Sequence, residues 1–263
     1  MTVGIPPDRL RLLRQLRQSA APVSPVAADT TVVVKPDGGQ PPLFLVPAVS
    51  GSPYAYLGLR TLLPADQPAV SFEGPGLSGS APPSGSVEQL AAHYLTAIRR
   101  RWPHGPYLLA GWSFGGTVAF EMAHQLTAAG ARVVLLALVD GAVPGTFASP
   151  DEDEVAAAFT RDLAGYGITA DALEPDVRQR RYAVFRANMR AYRAYRARVW
   201  SGPAVLIRGA TSTEPTAGWH EWCRGPVVER VVPGDHYSMW EPASVGAVAD
   251  ALSAAARTAL AGE

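Results

Sequence analysis

The sequence predicts an α/β fold, a mostly parallel central sheet flanked by helices. Three observations carry that expectation. Short apolar runs alternate with helical stretches, a glycine-rich turn joins one run to the next helix at Ser113, and two further runs follow a helical insertion. Strands covered on both faces read as continuous apolar runs, and Leu43–Val46 and Val133–Val139 have that form.

In order along the chain, residues 8–18 place Leu10, Leu13 and Leu16 at helical spacing, and the loose stretch SAAPVSPVAADT follows. Residues 1–39 therefore read as a short helix and a tether, and residues 40–263 as the folded domain. Leu43–Val46, flanked by Pro42 and Pro47, predicts a strand, and 54–63 a helix. Ala69–Phe72 predicts the next strand, and Ser86 with Gln89 three residues on opens a helix running to about Arg101. A strand at 107–111, a helix at 114–129 ended by Gly130, and the strand Val133–Val139 complete the repeat. From about 144 to 200 the alternation stops and two helices are expected, at 155–163 and 176–198. Ala204–Gly209 and Val227–Val232 restore two strands, and Val245–Ala261 closes the chain as an amphipathic helix.

Composition narrows the function classes. With 263 residues, 48% apolar and 17% charged, the chain can bury a sizeable core. Its 23 basic and 23 acidic groups cancel, which speaks against nucleic acid or an anionic membrane as partner. Nowhere do about 18 apolar residues run unbroken, and the first residues lack a signal peptide's apolar run, so a cytoplasmic location is expected. The single cysteine, Cys223, permits neither an internal disulfide nor a cysteine metal cluster. No metal site is expected.

The chemistry concentrates in Gly111-Trp112-Ser113-Phe114-Gly115-Gly116, a G-x-S-x-G between a predicted strand and a predicted helix. The bland alternative is a helix N-cap serine. In the motif's context, a strained turn lifts the Ser113 hydroxyl out of the sheet as a nucleophile. A serine hydroxyl needs a base oriented by a carboxylate, in the chain order serine, acid, histidine. Two histidines lie downstream. His236, in the loop after the last strand, is the expected base, whereas His220 between Trp219 and Trp222 reads as a packed or surface histidine. Asp140 ends a strand at the carboxyl edge shared with Ser113 and is the expected acid. Asp235 is the other candidate, although its place beside the base suits a turn residue better. An oxyanion would meet the backbone N–H of Phe114 and one from the loop after the first apolar strand, where Pro47 has none to give; Val49 is the first choice and Ala48 the second.

With these residues in view, the segments LVPAVSG, FEGPGL, GPYLLAGWSFGGTVAFEMAHQL, LLALVDGAVPG and VPGDHYSMW resemble the thioesterases of nonribosomal peptide and polyketide assembly lines over about 40–250. The resemblance implies an α/β-hydrolase fold with a helical lid, here about 144–200. It implies that an acyl chain passes from the phosphopantetheine of a carrier protein to the serine and is released to water or to an internal nucleophile, by hydrolysis or macrocyclisation. No metal or diffusible cofactor is implied. Ser113, Asp140 and His236 match the family triad, with Asp140 lying 27 positions after Ser113. Val49 and Phe114 fall where the family's two oxyanion donors sit.

The GWSFGG form looks more like the chain-terminating type than the stand-alone editing type, while a start at Met1 points the other way. Trp112, Phe185, Met189 and Tyr192 are candidates to line the acyl channel, although core packing explains the last three equally well. The arginines from Arg178 to Arg198 read either as a solvated helix face or as a dock for an acidic carrier protein. A general serine esterase and a catalytically silent binding domain are the competing readings.

Overall fold

The computed structural model describes residues 30–78, 81–141, 143, 151–214 and 216–262. The expected N-terminal helix at 8–18 lies outside the described residues. Among these residues seven strands form one sheet: β1 Thr31–Lys35, β2 Leu43–Val46, β3 Ala69–Phe72, β4 Tyr107–Trp112, β5 Val133–Val139, β6 Ala204–Gly209 and β7 Val227–Val232. Their spatial order is β1-β3-β2-β4-β5-β6-β7. All pairs are parallel except β1 with β3. β1 falls inside the stretch read as a tether, so the sheet begins earlier in the chain than expected.

Among the described residues five α-helices accompany the sheet: α1 Val87–Arg101, α2 Phe114–Ala128, α3 Glu152–Gly165, α4 Pro175–Ala194 and α5 Val245–Ala261. α1 starts as expected, with the Ser86 hydroxyl accepting from the Gln89 amide at 3.2 Å. α4 ends four residues short of the expected 198, because Tyr195 turns to extended geometry (ψ 140°) and its hydroxyl donates to buried Glu121 at 2.8 Å. The stretch expected to be an α-helix over 54–63 is a 3-10 segment, Pro53–Thr61.

The alternation of side chains along each strand divides the core in two. Phe44, Val46, Leu109, Leu136 and Leu138 pack on the α1–α2 face, while Leu43, Leu45, Leu108, Ala110 and Ala137 pack on the α5 face. A separate cluster of Val155, Phe159, Leu163, Ile168, Leu173 and Phe185 makes α3 and α4 a small layer with a core of its own. That layer is the expected helical insertion.

Sheet register sets up the site. Val46 pairs with Gly111, Trp112 with Val139, and Val139 with Ile207. The residues that follow β2, β4, β5 and β6 thus emerge side by side at the carboxyl edge, where ligands bind in open α/β sheets.

Candidate active site

Ser113 occupies the turn between β4 and α2 at φ 56° and ψ −129°, a left-handed conformation costly for a residue with a Cβ. Two glycines make the turn feasible. A Cβ on Gly111 would lie 2.1 Å from the Gly115 carbonyl oxygen, and one on Gly115 would lie 2.3 Å from the Val46 oxygen. Only hydrogen at both positions lets β2, β4 and α2 approach this closely. Phe114 opens α2, where the N–H has no intrahelical acceptor.

Asp140 follows β5, also at positive φ (42°), and is fully buried. Its Oδ2 accepts from His236 Nδ1 at 2.8 Å and from the Ser212 hydroxyl at 2.7 Å, and its Oδ1 accepts from the Gly209 amide at 2.9 Å. Burial alone would push this carboxyl up; the hydrogen bonds from His236, Ser212 and Gly209 outweigh it and hold Asp140 below the usual aspartate range. The turn after it is fixed by Trp219, whose indole N–H donates to the Gly141 carbonyl at 2.9 Å. A Cβ on Gly141 would lie 2.7 Å from the Ser113 carbonyl oxygen, so the turns of Asp140 and Ser113 touch.

His236 has 17% of its side chain exposed, whereas Asp140 has none. Its ring lies 5.0 Å from that of Trp112 and 5.1 Å from that of Tyr237, the latter edge-on at 90°. Asp235, the other candidate acid, directs its Oδ1 to the Tyr237 amide, the Ser238 amide and the Ser238 hydroxyl within its own turn. His220 pairs with Glu229 instead, at the exposed face of β7.

The loop after β2 carries Val49. It is held from the lid by Asn188 of α4, whose side-chain amide donates to the Val49 carbonyl at 2.8 Å. It is held from below by Tyr56, whose hydroxyl donates to the Val46 carbonyl at 2.6 Å and accepts from the Trp112 amide at 2.9 Å. Burial pushes the Tyr56 phenol far up, so it stays a donor. One phenol thereby joins the loop of Val49 to the strand of Ser113.

The expected channel residues have divided fates. Trp112 is 1% exposed and lies in an aromatic cluster with Tyr166, Tyr237 and Trp240, beneath His236. Phe185 is 2% exposed and belongs to the lid's core, with Phe159 at 5.5 Å. Neither presents a surface to a channel. Tyr192 packs edge-on against Phe114 at 5.6 Å, and Met189 is half-buried against the lid cluster. Of the lid arginines, Arg186 and Arg190 reach Glu152 on α3, and Arg198 reaches Glu121 on α2. Sequence reasoning missed Tyr56, Asn188 and Ser212, none of which belongs to a motif.

Among the described residues no group of three or more histidines, cysteines or acids could hold a metal ion, and no helix is long and apolar enough to cross a membrane.

A family model described as a thioesterase domain matches residues 41–256. Malpinin synthetase of Mortierella alpina is 31% identical over 239 residues, covering 86% of this chain and 3% of the relative. The non-reducing polyketide synthase atnG of an Arthrinium species is 37% identical over 184 residues, covering 62% of this chain and 9% of that protein. The chain thus spans a small part of the curated relatives it matches. Among solved structures, the NocB thioesterase domain in covalent complex with a fluorophosphonate nocardicin G analog is 28% identical, with a TM-score of 0.73, covering 88% of this chain and 99% of that one. RedJ thioesterase from the prodiginine pathway of Streptomyces coelicolor, at 23% identity and TM-score 0.70 over 89% of this chain and 97% of that one, shares the fold.

Proposed function

Because the chain belongs to the thioesterase domain family, we propose that it releases an acyl, peptidyl or polyketide chain from a carrier-protein phosphopantetheine thioester through an acyl-enzyme on Ser113. The observation that carries this reading is the 2.8 Å contact between His236 Nδ1 and Asp140 Oδ2, at the edge where Ser113 sits in its strained turn.

In the proposed reaction His236 Nε2 takes the Ser113 proton as Oγ attacks the thioester carbonyl. Asp140 fixes the imidazole tautomer and stabilises the imidazolium without itself taking the proton. The N–H groups of Val49 and Phe114 receive the negative charge on the carbonyl oxygen; each such donor is worth ~2.7–4 kcal/mol in the transition state. Collapse breaks the C–S bond, and the pantetheine thiolate leaves with the proton from His236. Water, or a hydroxyl or amine of the chain itself, then attacks the Ser113 ester with His236 as base, and the product departs as acid or ring. Asn188 and Tyr56 support the reading by holding the loop of Val49 from two sides.

The test is intact-protein mass after incubation with acyl-pantetheine thioesters and matched oxygen esters, with Ser113→Ala as control. A Ser113-dependent adduct from thioesters, decaying to acid or ring, is expected. An adduct from oxygen esters alone would make the protein a plain serine esterase, and no adduct from either would refute the assignment.

A further inference from the structure

A small cavity of about 10 Å³ lies between the lid and the loop after β2, lined by Ser50, Tyr54, Asp162, Tyr166 and Arg181 among others. That volume holds about one water-sized group. It is tied to the site through residues next in sequence to Val49 and His236. Ser50 follows Val49, and Tyr237, which follows His236, donates its hydroxyl to Asp162 Oδ1 at 3.5 Å. Asp162 is 4% exposed, and its Oδ2 is buried with no hydrogen-bond partner among the described residues. An acceptor left this way is costly, more so when ionised, and calls for a physical reason.

The lining restricts what can satisfy it. A cationic group would meet the Arg181 guanidinium, and an anionic one would meet Asp162. An apolar group would leave Oδ2 dry and unpaired. What remains is a neutral group of water size that both donates and accepts, with the Ser50 and Tyr166 hydroxyls, 3.5 Å apart, beside it. We propose that this cavity receives a hydroxyl group carried by the acyl chain, which donates to Asp162 Oδ2 and turns its oxygen toward Arg181. The proposal rests on the acyl-transfer reading above and adds a substrate class to it. Asp162 is thereby a specificity-determining residue of the lid, acting at a distance from the reacting carbonyl.

The experiment uses the full chain at about pH 8, where Asp162 is ionised despite its burial, with a series of acyl-pantetheine thioesters of one length, each bearing a single hydroxyl at a successive position, beside the unsubstituted parent. The readout is the ratio of kcat/KM for each hydroxylated chain to that of the parent. In the wild type one position is expected to exceed the parent by about ten-fold or more, since a site built to bond a hydroxyl discriminates against its absence. Asp162→Leu, with its melting temperature checked, brings that ratio to about one. Should Asp162→Leu fail to fold, the near-isosteric Asp162→Asn carries the test and lowers the ratio at least about three-fold through a weaker, uncharged acceptor. No preference at any position would mean that the cavity holds solvent alone, and a preference that survives substitution of Asp162 would place the reader elsewhere; either result overturns the proposal. Absence of turnover on every thioester, parent included, together with an unmodified Ser113, would instead overturn the acyl-transfer reading and this proposal with it.

Discussion

Replacing Tyr56 by phenylalanine removes one oxygen and with it two buried hydrogen bonds, to the Val46 carbonyl at 2.6 Å and from the Trp112 amide at 2.9 Å. Tyr56 is 1% exposed, so neither orphaned backbone group gains ready access to water. At about 1–3 kcal/mol for each group left unsatisfied, the expected loss is roughly 2–4 kcal/mol, allowing for partial relaxation. In a chain of this size that lowers Tm by roughly 5–15 °C. The effect on activity follows from position: the phenol joins the strand that ends at Ser113 to the strand that leads to Val49. Ser113 acylation is therefore expected to slow more than substrate binding weakens, with kcat falling and KM little changed. Thermal melting and the rate of fluorophosphonate labelling measure both. Tyr107→Phe serves as the control, since Tyr107 is equally buried but its hydroxyl makes one bond, to the Trp102 carbonyl at 2.9 Å. A Tyr56→Phe protein that melts within about 2 °C of wild type and labels at the same rate would refute the bridging role, since so small a shift corresponds to about 1 kcal/mol or less.

Other predictions follow from single groups. Asp140→Asn is expected to keep the fold but lower turnover by about 10³–10⁴, because an amide presents its own N–H where Oδ2 accepts from His236; a loss under about ten-fold in steady-state assays would move the acid elsewhere. Burial raises Asp162 from 3.8 to about 7. The folded state thus keeps a proton that the unfolded chain releases as pH rises between those values, and stability of up to ~4 kcal/mol is lost over that window. Asp162→Asn removes this dependence, so its melting temperature should rise relative to wild type between pH 4 and pH 8; a constant difference across that range would contradict the burial argument. Cys223 is 4% exposed, and burial pushes its thiol up to about 11. Maleimide should therefore leave the native protein unlabelled at pH 7 and modify it fully in denaturant, and rapid native labelling would show that the β6–β7 end opens.

Much of this was legible because the informative residues announce themselves locally. β2, β3, β5, β6, β7 and α5 coincide with their expected bounds. Of these, β2, β3 and β5 are buried on both faces and carry no charged residue, whereas β7, with Glu229 and Arg230 exposed, is marked by its valines and by the flanking Pro226 and Pro233. The Ser113 turn was readable because its two glycines are sterically required. β1 was missed because an antiparallel edge strand of five residues needs no such run and is specified by its pairing with β3. The end of α4 was missed because a buried partner on α2, Glu121, draws Tyr195 out of the helix. Tyr56, Asn188, Ser212 and Asp162 act across 10 to 139 positions of sequence, and nothing near them in the chain signals their partners. Trp112 and Phe185 misled for the opposite reason. Large apolar residues beside a site are as useful for supporting it as for lining it.

The burial of Trp112 beneath His236 has a consequence for charge. Its indole lies 5.0 Å from the imidazole, with the two planes 38° apart. A cation within about 6 Å of an aromatic face is attracted by the ring quadrupole, by about 0.5–2 kcal/mol as water is excluded. In the proposed reaction the imidazole becomes such a cation twice per turnover, held by the Asp140 carboxylate at one edge and by the indole π-face at another. The motif's tryptophan would then serve the proton's temporary residence on His236, an attraction that no aliphatic side chain at this position would supply.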